Sequence, residues 1–319
     1  MRVLVTGASG LIGRHTVELL LHEGHEVRAF QRRPLGPVAA KQGAEVPRQN
    51  NMDGVGGTIE YVSGDVRIDT QALRVAASGC GAVVHLAGRG DVAESRGDPL
   101  GYAELIAQGT LHALEAARTT GAVFVLASSQ RVYPLHPTPC HEEDQPEPDS
   151  PYGYAKWVAE LWCRMASEQF RVTTRVLRFF SVFGPGQQPN GGSGVVTIFA
   201  RAALRDQPLE VQSHGRRDFT DVRDVAHGIV LALEKPADGT WSTYNIATGT
   251  GTSFRALAEL ILQRTESKSS IEERINEPAG RDLVADVTSA RRDLGYAPCV
   301  KLSEGVDHYI QWLRRHDSA

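Results

Sequence analysis

The sequence predicts an α/β fold, a doubly wound parallel sheet joined to a smaller α/β unit. Three observations predict it. Short apolar strands alternate with helix-period segments through roughly the first 180 residues. A glycine-spaced loop joins the first strand to the first helix. Beyond that stretch the rhythm changes to a Gly/Pro/Asn loop, further helices and short strands.

Each element has a local reason. Arg2 to Thr6 holds the run Val3-Leu4-Val5 and reads as a buried strand. Leu11 to His22 carries apolar residues at helical spacing, and Gly24 ends that helix. Glu26 to Phe30 is a second strand. Residues 34–58 are rich in Gly, Pro and polar side chains and read as a loop before a strand at 59–62, which Gly64-Asp65-Val66 ends. A short helix at Leu73 to Ser78 leads to a fourth strand at Ala82 to Leu86. A helix over 100–118 leads to a fifth strand at Val123 to Ala127. The proline-rich, acidic segment 134–150 is a loop. A helix then runs from Tyr152 to about Gln169, and Arg175 to Phe180 is the sixth strand. After a loop at 184–194 come a helix near 195–206, a short strand at Glu210-Val211, and helices near 222–234, 253–265 and 303–315. This is a Rossmann-like order. Residues 1–180 plus about 220–246 are expected to form a dinucleotide-binding domain. Residues of about 181–219 plus 247–319 are expected to form an interleaved substrate-binding domain, with the site in the cleft between them.

Composition sets limits. Of 319 residues, 41% are hydrophobic and 23% charged, an ordinary globular balance. A net charge of −4 argues against a nucleic-acid surface or a basic membrane patch. Cys80, Cys140, Cys163 and Cys299 are widely spaced, which suggests reduced thiols in a cytoplasmic protein, not disulfides or a zinc site. No metal is expected: His136, Cys140 and His141 share a loop but show no ligand set. There is neither a signal-peptide pattern nor an apolar run that would span a bilayer.

Two constellations carry chemistry. Gly7, Gly10 and Gly13 lie between a strand and a helix, where backbone amides and a helix N-terminus can receive a pyrophosphate. Ser9, Leu11 and Ile12 belong to the same loop. At the end of the second strand, where an acid would hold the ribose of NAD, stand Gln31, Arg32 and Arg33. Arginines can pair with a 2′-phosphate, so between NAD and NADP the residues lean to NADP. Asp65 can reach the adenine amine or cap the following segment. The second constellation is Tyr152 and Lys156, four residues apart on one helix face and about twenty residues after Ser128-Ser129-Gln130-Arg131-Val132-Tyr133. An ammonium beside a phenol favours the phenolate and makes tyrosine an acid or base near neutrality. Ser129 can hold the substrate oxygen. His85, also at a strand end, is read as packing under the cofactor loop.

With these pieces in place, the chain resembles the extended short-chain dehydrogenases/reductases, the NAD-dependent epimerase/dehydratase family acting on nucleotide sugars. The likeness rests on TGASGLIG (6–13), GDV (64–66), HLAG (85–88), SSQRVY (128–133), SPYGYAK (150–156), LRFFSVFGPGQ (177–187), RRDFTDVRDVA (216–226), YNIATG (244–249) and DLGYAP (293–298). The resemblance implies that Ser129, Tyr152 and Lys156 form the catalytic triad, with Lys156 also on the nicotinamide ribose. It implies cofactor contacts from the glycine loop, Asp65-Val66 and Leu86-Ala87-Gly88. It implies substrate contacts from Arg89, Ser129, Gln130 and Ser181, with Arg217 and then Arg281 on the substrate diphosphate. It also implies a homodimer through the helices at 100–118 and 152–169.

The chain departs from the family pattern in four places. Gln31 stands where an acid is common, Ile106 where an asparagine near the cofactor is usual, and Ser181 where an asparagine follows the sixth strand. Gln130 and Arg131 replace the Asp-Glu pair of the sugar 4,6-dehydratases, so that reaction lacks its acid and base. The expected function is a nucleotide-sugar epimerase, at C4, working by transient hydride transfer to bound NAD(P) with a nucleotide-diphosphate sugar as substrate. The alternatives are an NADPH-dependent reductase of a keto-sugar nucleotide and a non-catalytic cofactor sensor or scaffold.

Overall fold

The computed structural model describes residues 1–32, 56–135, 139–187, 194–275 and 282–316. Arg33, His136 and Arg281 lie outside them. The chain opens with β1 (Arg2–Thr6), α1 (Leu11–His22), β2 (Glu26–Gln31), β3 (Ile59–Ser63), α2 (Thr70–Ala77) and β4 (Ala82–His85). Next come α3 (Val92–Gly97), α4 (Pro99–Tyr102), a π-helical segment (Ala103–Gln108), α5 (Gly109–Thr120), β5 (Val123–Ser129) and a 3₁₀ turn (Gln130–Val132). These are followed by α6 (Pro151–Phe170), β6 (Thr174–Phe179), β7 (Val182–Phe183), α7 (Val195–Leu204), β8 (Leu209–Val211), β9 (Arg216–Asp218) and β10 (Thr220–Asp221). The last elements are α8 (Val222–Glu234), β11 (Trp241–Ile246), β12 (Gly251–Ser253), α9 (Phe254–Thr265), β13 (Ile271–Glu273), α10 (Thr288–Leu294) and α11 (Leu302–His316).

Seven strands form one parallel sheet in the order β11-β6-β5-β4-β1-β2-β3. β5 is buried at every position because helices cover both faces. On one face α1, α8 and α10 pack through Leu20, Ile229, Leu233 and Leu294. On the other, α2, α5 and α6 pack through Leu73, Leu114 and Cys163. Each fully buried Leu or Ile contributes roughly 1.5–3 kcal/mol. A separate core joins α7, α9 and α11 through Phe199, Leu257, Ile261 and Leu313. Val132, Tyr133, Cys140, Phe180, Leu283 and Ala285 pack together beside the ends of β5 and β6.

The strand order reverses between β1 and β4, which opens a crevice at their carboxyl ends. The secondary structure differs from expectation in several places, two of which bear on the sheet and its helices. The helix foreseen over 100–118 is interrupted by the π segment, and Ile106 sits within it. β11 and α10 were not foreseen as elements. Their sequences, WSTYNI and TSARRDL, carry little periodicity, and burial comes from pairing with β6 and packing on α8. No helix among the described residues is long and apolar enough to cross a membrane.

Candidate active site

The crevice holds a cavity of about 380 Å³ lined by Gly7, Ser9, Gly10, Phe30, Gln31, Arg32, Gly64, Asp65, Val66, Leu86, Ala87, Gly88 and Leu105. It collects residues from the ends of four strands, as the doubly wound order requires. Its floor is built by backbone approach. Gly7 has φ +69°, and a Cβ there would meet the Ala87 nitrogen at 2.7 Å. A Cβ on Gly13 would collide with the Gly7 carbonyl, so α1 packs on the turn only with glycine at that position. Gly10 caps α1 without a side-chain hydrogen bond. The first-turn amides therefore receive no bond from the capping residue, and the cavity wall reaches the helix N-terminus at Gly10.

At the adenosine end, both amide atoms of Gln31 are buried without a hydrogen-bond partner. Such a side chain is costly unless something bonds to it. Asp65 lines the cavity as a carboxylate: Arg67 clasps it at 2.7 Å, and that bond holds its carboxyl below the usual range. These residues fit a nicotinamide dinucleotide: a glycine cradle at a helix N-terminus, an orphaned amide and a carboxylate along one crevice.

Leu11, Ile12 and Gly13 do not line the cavity. Leu11 is the residue that a Cβ on Gly186 would meet, at 3.8 Å, and Ile12 packs against the sheet core. Phe30, Gly64 and Leu105 line it although the sequence did not single them out. The first two adjoin Gln31 and Asp65, so their neighbours were the available signal.

Ser129, Tyr152 and Lys156 meet at the cavity's far end. Ser150 caps α6 by accepting from the Gly153 amide at 3.2 Å, with Pro151 in the first turn. A Cβ on Gly153 would lie 2.5 Å from the Arg131 carbonyl oxygen. That close approach seats the Tyr152 turn against the 3₁₀ turn that follows Ser129. The Lys156 Nζ donates to the Ala127 carbonyl at 2.6 Å and lies 6.0 Å from the Tyr152 ring centre. A side-chain carbon on Gly88, a cavity residue, would sit 3.7 Å from the same Nζ.

Burial governs the proton affinities. It lowers the Lys156 ammonium to about 8, against a smaller opposing pull from Glu160. It raises the Tyr152 phenol, while a hydrogen bond with Ser129 and the nearby Arg131 charge pull it down. The lowering expected from the Lys156 ammonium is not what acts on Tyr152: Ser129 and Arg131 pull it down, and desolvation outweighs them. His85 is almost fully buried, with Nδ1 2.8 Å from the Thr6 hydroxyl. Burial, then Lys156, lowers it to about 3, so it stays neutral near pH 7.

The remaining candidates surround this centre. Gln130 donates from Nε2 to the Ser181 hydroxyl at 3.0 Å, and its Oε1 is buried without a partner. Ser181 holds a φ of +26°. Arg131 is clamped by Asp149. Arg89 bonds Glu94 and Asp98 and stacks 4.7 Å over Tyr102, which meets Tyr152 edge-on at 6.3 Å. Tyr102 was not anticipated, because only the fold brings α4 beside α6. Ile106 is buried, close to Gly88. Arg217 stacks 5.2 Å over Phe254. Phe254 in turn lines a second cavity of about 380 Å³ with Val195, Phe199, Leu209 and Gln212.

Comparison with known proteins gives a consistent result. Residues 3–247 match the NAD dependent epimerase/dehydratase family. The chain is 32% identical to the UDP-glucose 4-epimerase of Mycolicibacterium smegmatis, over 98% of this chain and 99% of that one. The solved UDP-glucose 4-epimerase of Thermotoga maritima, with UDP-glucose, superposes with a TM-score of 0.83 at 28% identity over 99% of each chain. MoeE5 in complex with UDP-glucose and NAD superposes with a TM-score of 0.85 at 30% identity over 100% of each chain.

Proposed function

The chain belongs to the NAD dependent epimerase/dehydratase family, and from that premise we propose that it interconverts nucleotide-diphosphate sugars epimeric at C4. The observation that carries the reading is the meeting of Ser129, Tyr152 and Lys156 beside Gly88 at the end of the dinucleotide cavity. A bound nicotinamide dinucleotide supplies a hydride acceptor and donor for the sugar carbon. The protein's residues move the proton and hold the sugar. Ser129 orients the 4-hydroxyl oxygen, and Tyr152 takes its proton and later returns it. Burial raises the Tyr152 phenol, so its deprotonation draws on the hydrogen bond with Ser129 and the positive charge of Arg131. Arg217 holds the diphosphate, and the apolar cavity ending at Phe254 receives the nucleoside base. Arg89 has two carboxylate partners and serves to brace Tyr102 against Tyr152.

We take the resident cofactor as NAD. MoeE5 is described with NAD. The orphaned Gln31 amide offers neutral hydrogen bonds, which suit ribose hydroxyls. This reverses the lean to NADP drawn from Gln31-Arg32-Arg33. Division into a dinucleotide-binding and a substrate-binding part belongs to the same proposal, as does a homodimer through the segments 100–118 and 152–169, where the α6 stripe Tyr154, Val158 and Leu161 is 57%, 36% and 41% exposed.

The test is to denature the purified protein, identify the dinucleotide released, and assay UDP-glucose, UDP-N-acetylglucosamine and UDP-glucuronic acid for the 4-epimer. We expect stoichiometric NAD, and conversion that falls about 10²–10⁴-fold in Tyr152→Phe. An empty protein that binds NADPH far more tightly than NADH would replace this reading with one-way reduction of a keto-sugar nucleotide.

A further inference from the structure

Three successive turns of one α6 face dock on the last three residues of β5. Tyr152 meets the Ser129 hydroxyl, Lys156 Nζ donates to the Ala127 carbonyl, and Glu160 accepts from Ser128 Oγ. The proposed chemistry uses the first two contacts and not the third. Glu160 is 1% exposed. Arg178 on β6 balances its charge, with Nη2 2.7 Å from Oε2 and Nε 3.1 Å from Oε1.

The pair is set in a row. Ser128, Arg178 and Asn245 are register partners across β5, β6 and β11. Arg178 stacks 4.7 Å over Tyr133 and donates to the Glu142 carbonyl at 3.1 Å. The Tyr133 hydroxyl donates to Asn245 Oδ1 at 2.8 Å. A buried ion pair is a weak source of stability, since apolar residues of similar volume often serve as well. Its position behind the site calls for another account.

We infer that Glu160 is a positioning residue for the proton-transfer site: it locks the third turn of the Tyr152–Lys156 face onto β5 and keeps a carboxylate one helical turn from the Lys156 ammonium. This rests on the reading of Ser129, Tyr152 and Lys156 given above. While Ser128 and Arg178 both hold Glu160, α6 can neither slide along β5 nor rotate against it, so the distance between Ser129 and Tyr152 is fixed.

The electrostatic half follows from the groups that face Lys156. Tyr152 and Glu160 lie on its own helix, neutral His85 on β4, and the Ala127 carbonyl on β5. The π segment contributes apolar Ile106 beside Gly88. Arg131 on the 3₁₀ turn faces Tyr152, and Arg89 stacks on Tyr102 at its other edge. Among these groups Glu160 supplies the carboxylate that favours the ammonium, against the burial that lowers it to about 8.

The test is NMR titration of protein labelled at lysine Cε, beside steady-state kinetics. The chain has five lysines (Lys41, Lys156, Lys235, Lys268 and Lys301), and Lys156→Met assigns the resonance. In Glu160→Gln we expect the Lys156 titration to move about one unit lower. We expect kcat to fall roughly 10–100-fold with KM within about threefold, and the alkaline limb of the rate profile to follow the NMR midpoint. Ser128→Ala keeps the charge pair and removes the link to β5; its kcat should fall about tenfold with the Lys156 titration unmoved. A folded Glu160→Gln with the wild-type titration and kcat overturns the inference. Should that variant not fold, Glu160→Met with Arg178→Met removes both charges together, and an unshifted Lys156 titration there overturns it equally. The titration needs no substrate, so a protein inactive on nucleotide sugars would sink the functional reading and leave this result standing.

Discussion

Lys156 and His85 show how burial acts on single residues beside the crevice. Both lose affinity for protons because the charged form is desolvated. For His85 the consequence is a stability that depends on pH. Its folded pKa, about 3, lies below the ordinary histidine value of 6.5, so between those values the unfolded chain binds a proton that the folded chain does not. Its contribution is fully present above about 6.5 and is lost as pH falls toward 3. Replacing His85 with Asn should therefore reduce the loss of stability on acidification by up to a few kcal/mol. Urea unfolding at pH 4.5 and 7.5 measures it; an unchanged difference between the two would reject the account. The sequence marked His85 as a packing residue from its place after a strand, but the depth of its burial came from Phe124, stacked 5.9 Å away on β5.

At the scale of elements, the site depends on how α6 begins. Ser150, Pro151 and the four-residue Tyr–Lys spacing are local signals, and α6 runs from Pro151 to Phe170 where the sequence indicated Tyr152 to about Gln169. What the local signals did not give is why Gly153 follows Tyr152. The answer lies across the chain, in the Arg131 carbonyl that a Cβ would meet at 2.5 Å. Gly153→Ala should push the first turn of α6 away from the 3₁₀ turn and lengthen the Ser129–Tyr152 contact. We expect kcat to drop on the order of 10²-fold, as displacements near 1 Å do, while NAD stays bound because its cavity is built by other loops. Loss of cofactor together with activity would place the fault elsewhere. The interruption of the 100–118 helix was equally invisible locally, since apolar spacing does not report one extra residue in a turn.

At the scale of the whole molecule, the α6 stripe is an exposed apolar surface on the helix that carries Tyr152 and Lys156. Tyr154, Val158 and Leu161 follow helical spacing and face outward, while Tyr152, Lys156 and Glu160 face in. If two copies meet there, Leu161→Arg should yield a monomer in sedimentation, with the wild-type far-UV spectrum kept. An unchanged oligomeric state would remove the stripe from the interface. The sequence by itself determined the parallel α/β class, the glycine loop and the Tyr–Lys pair, because strand, helix and turn signals act over a few residues. It did not determine β11 or α10, whose polar sequences become regular only against β6 and α8. Nor did it determine the partners of Glu160 and Arg178. Those contacts join residues far apart in the chain, and a buried charge or amide takes its chemistry from the groups the fold packs around it.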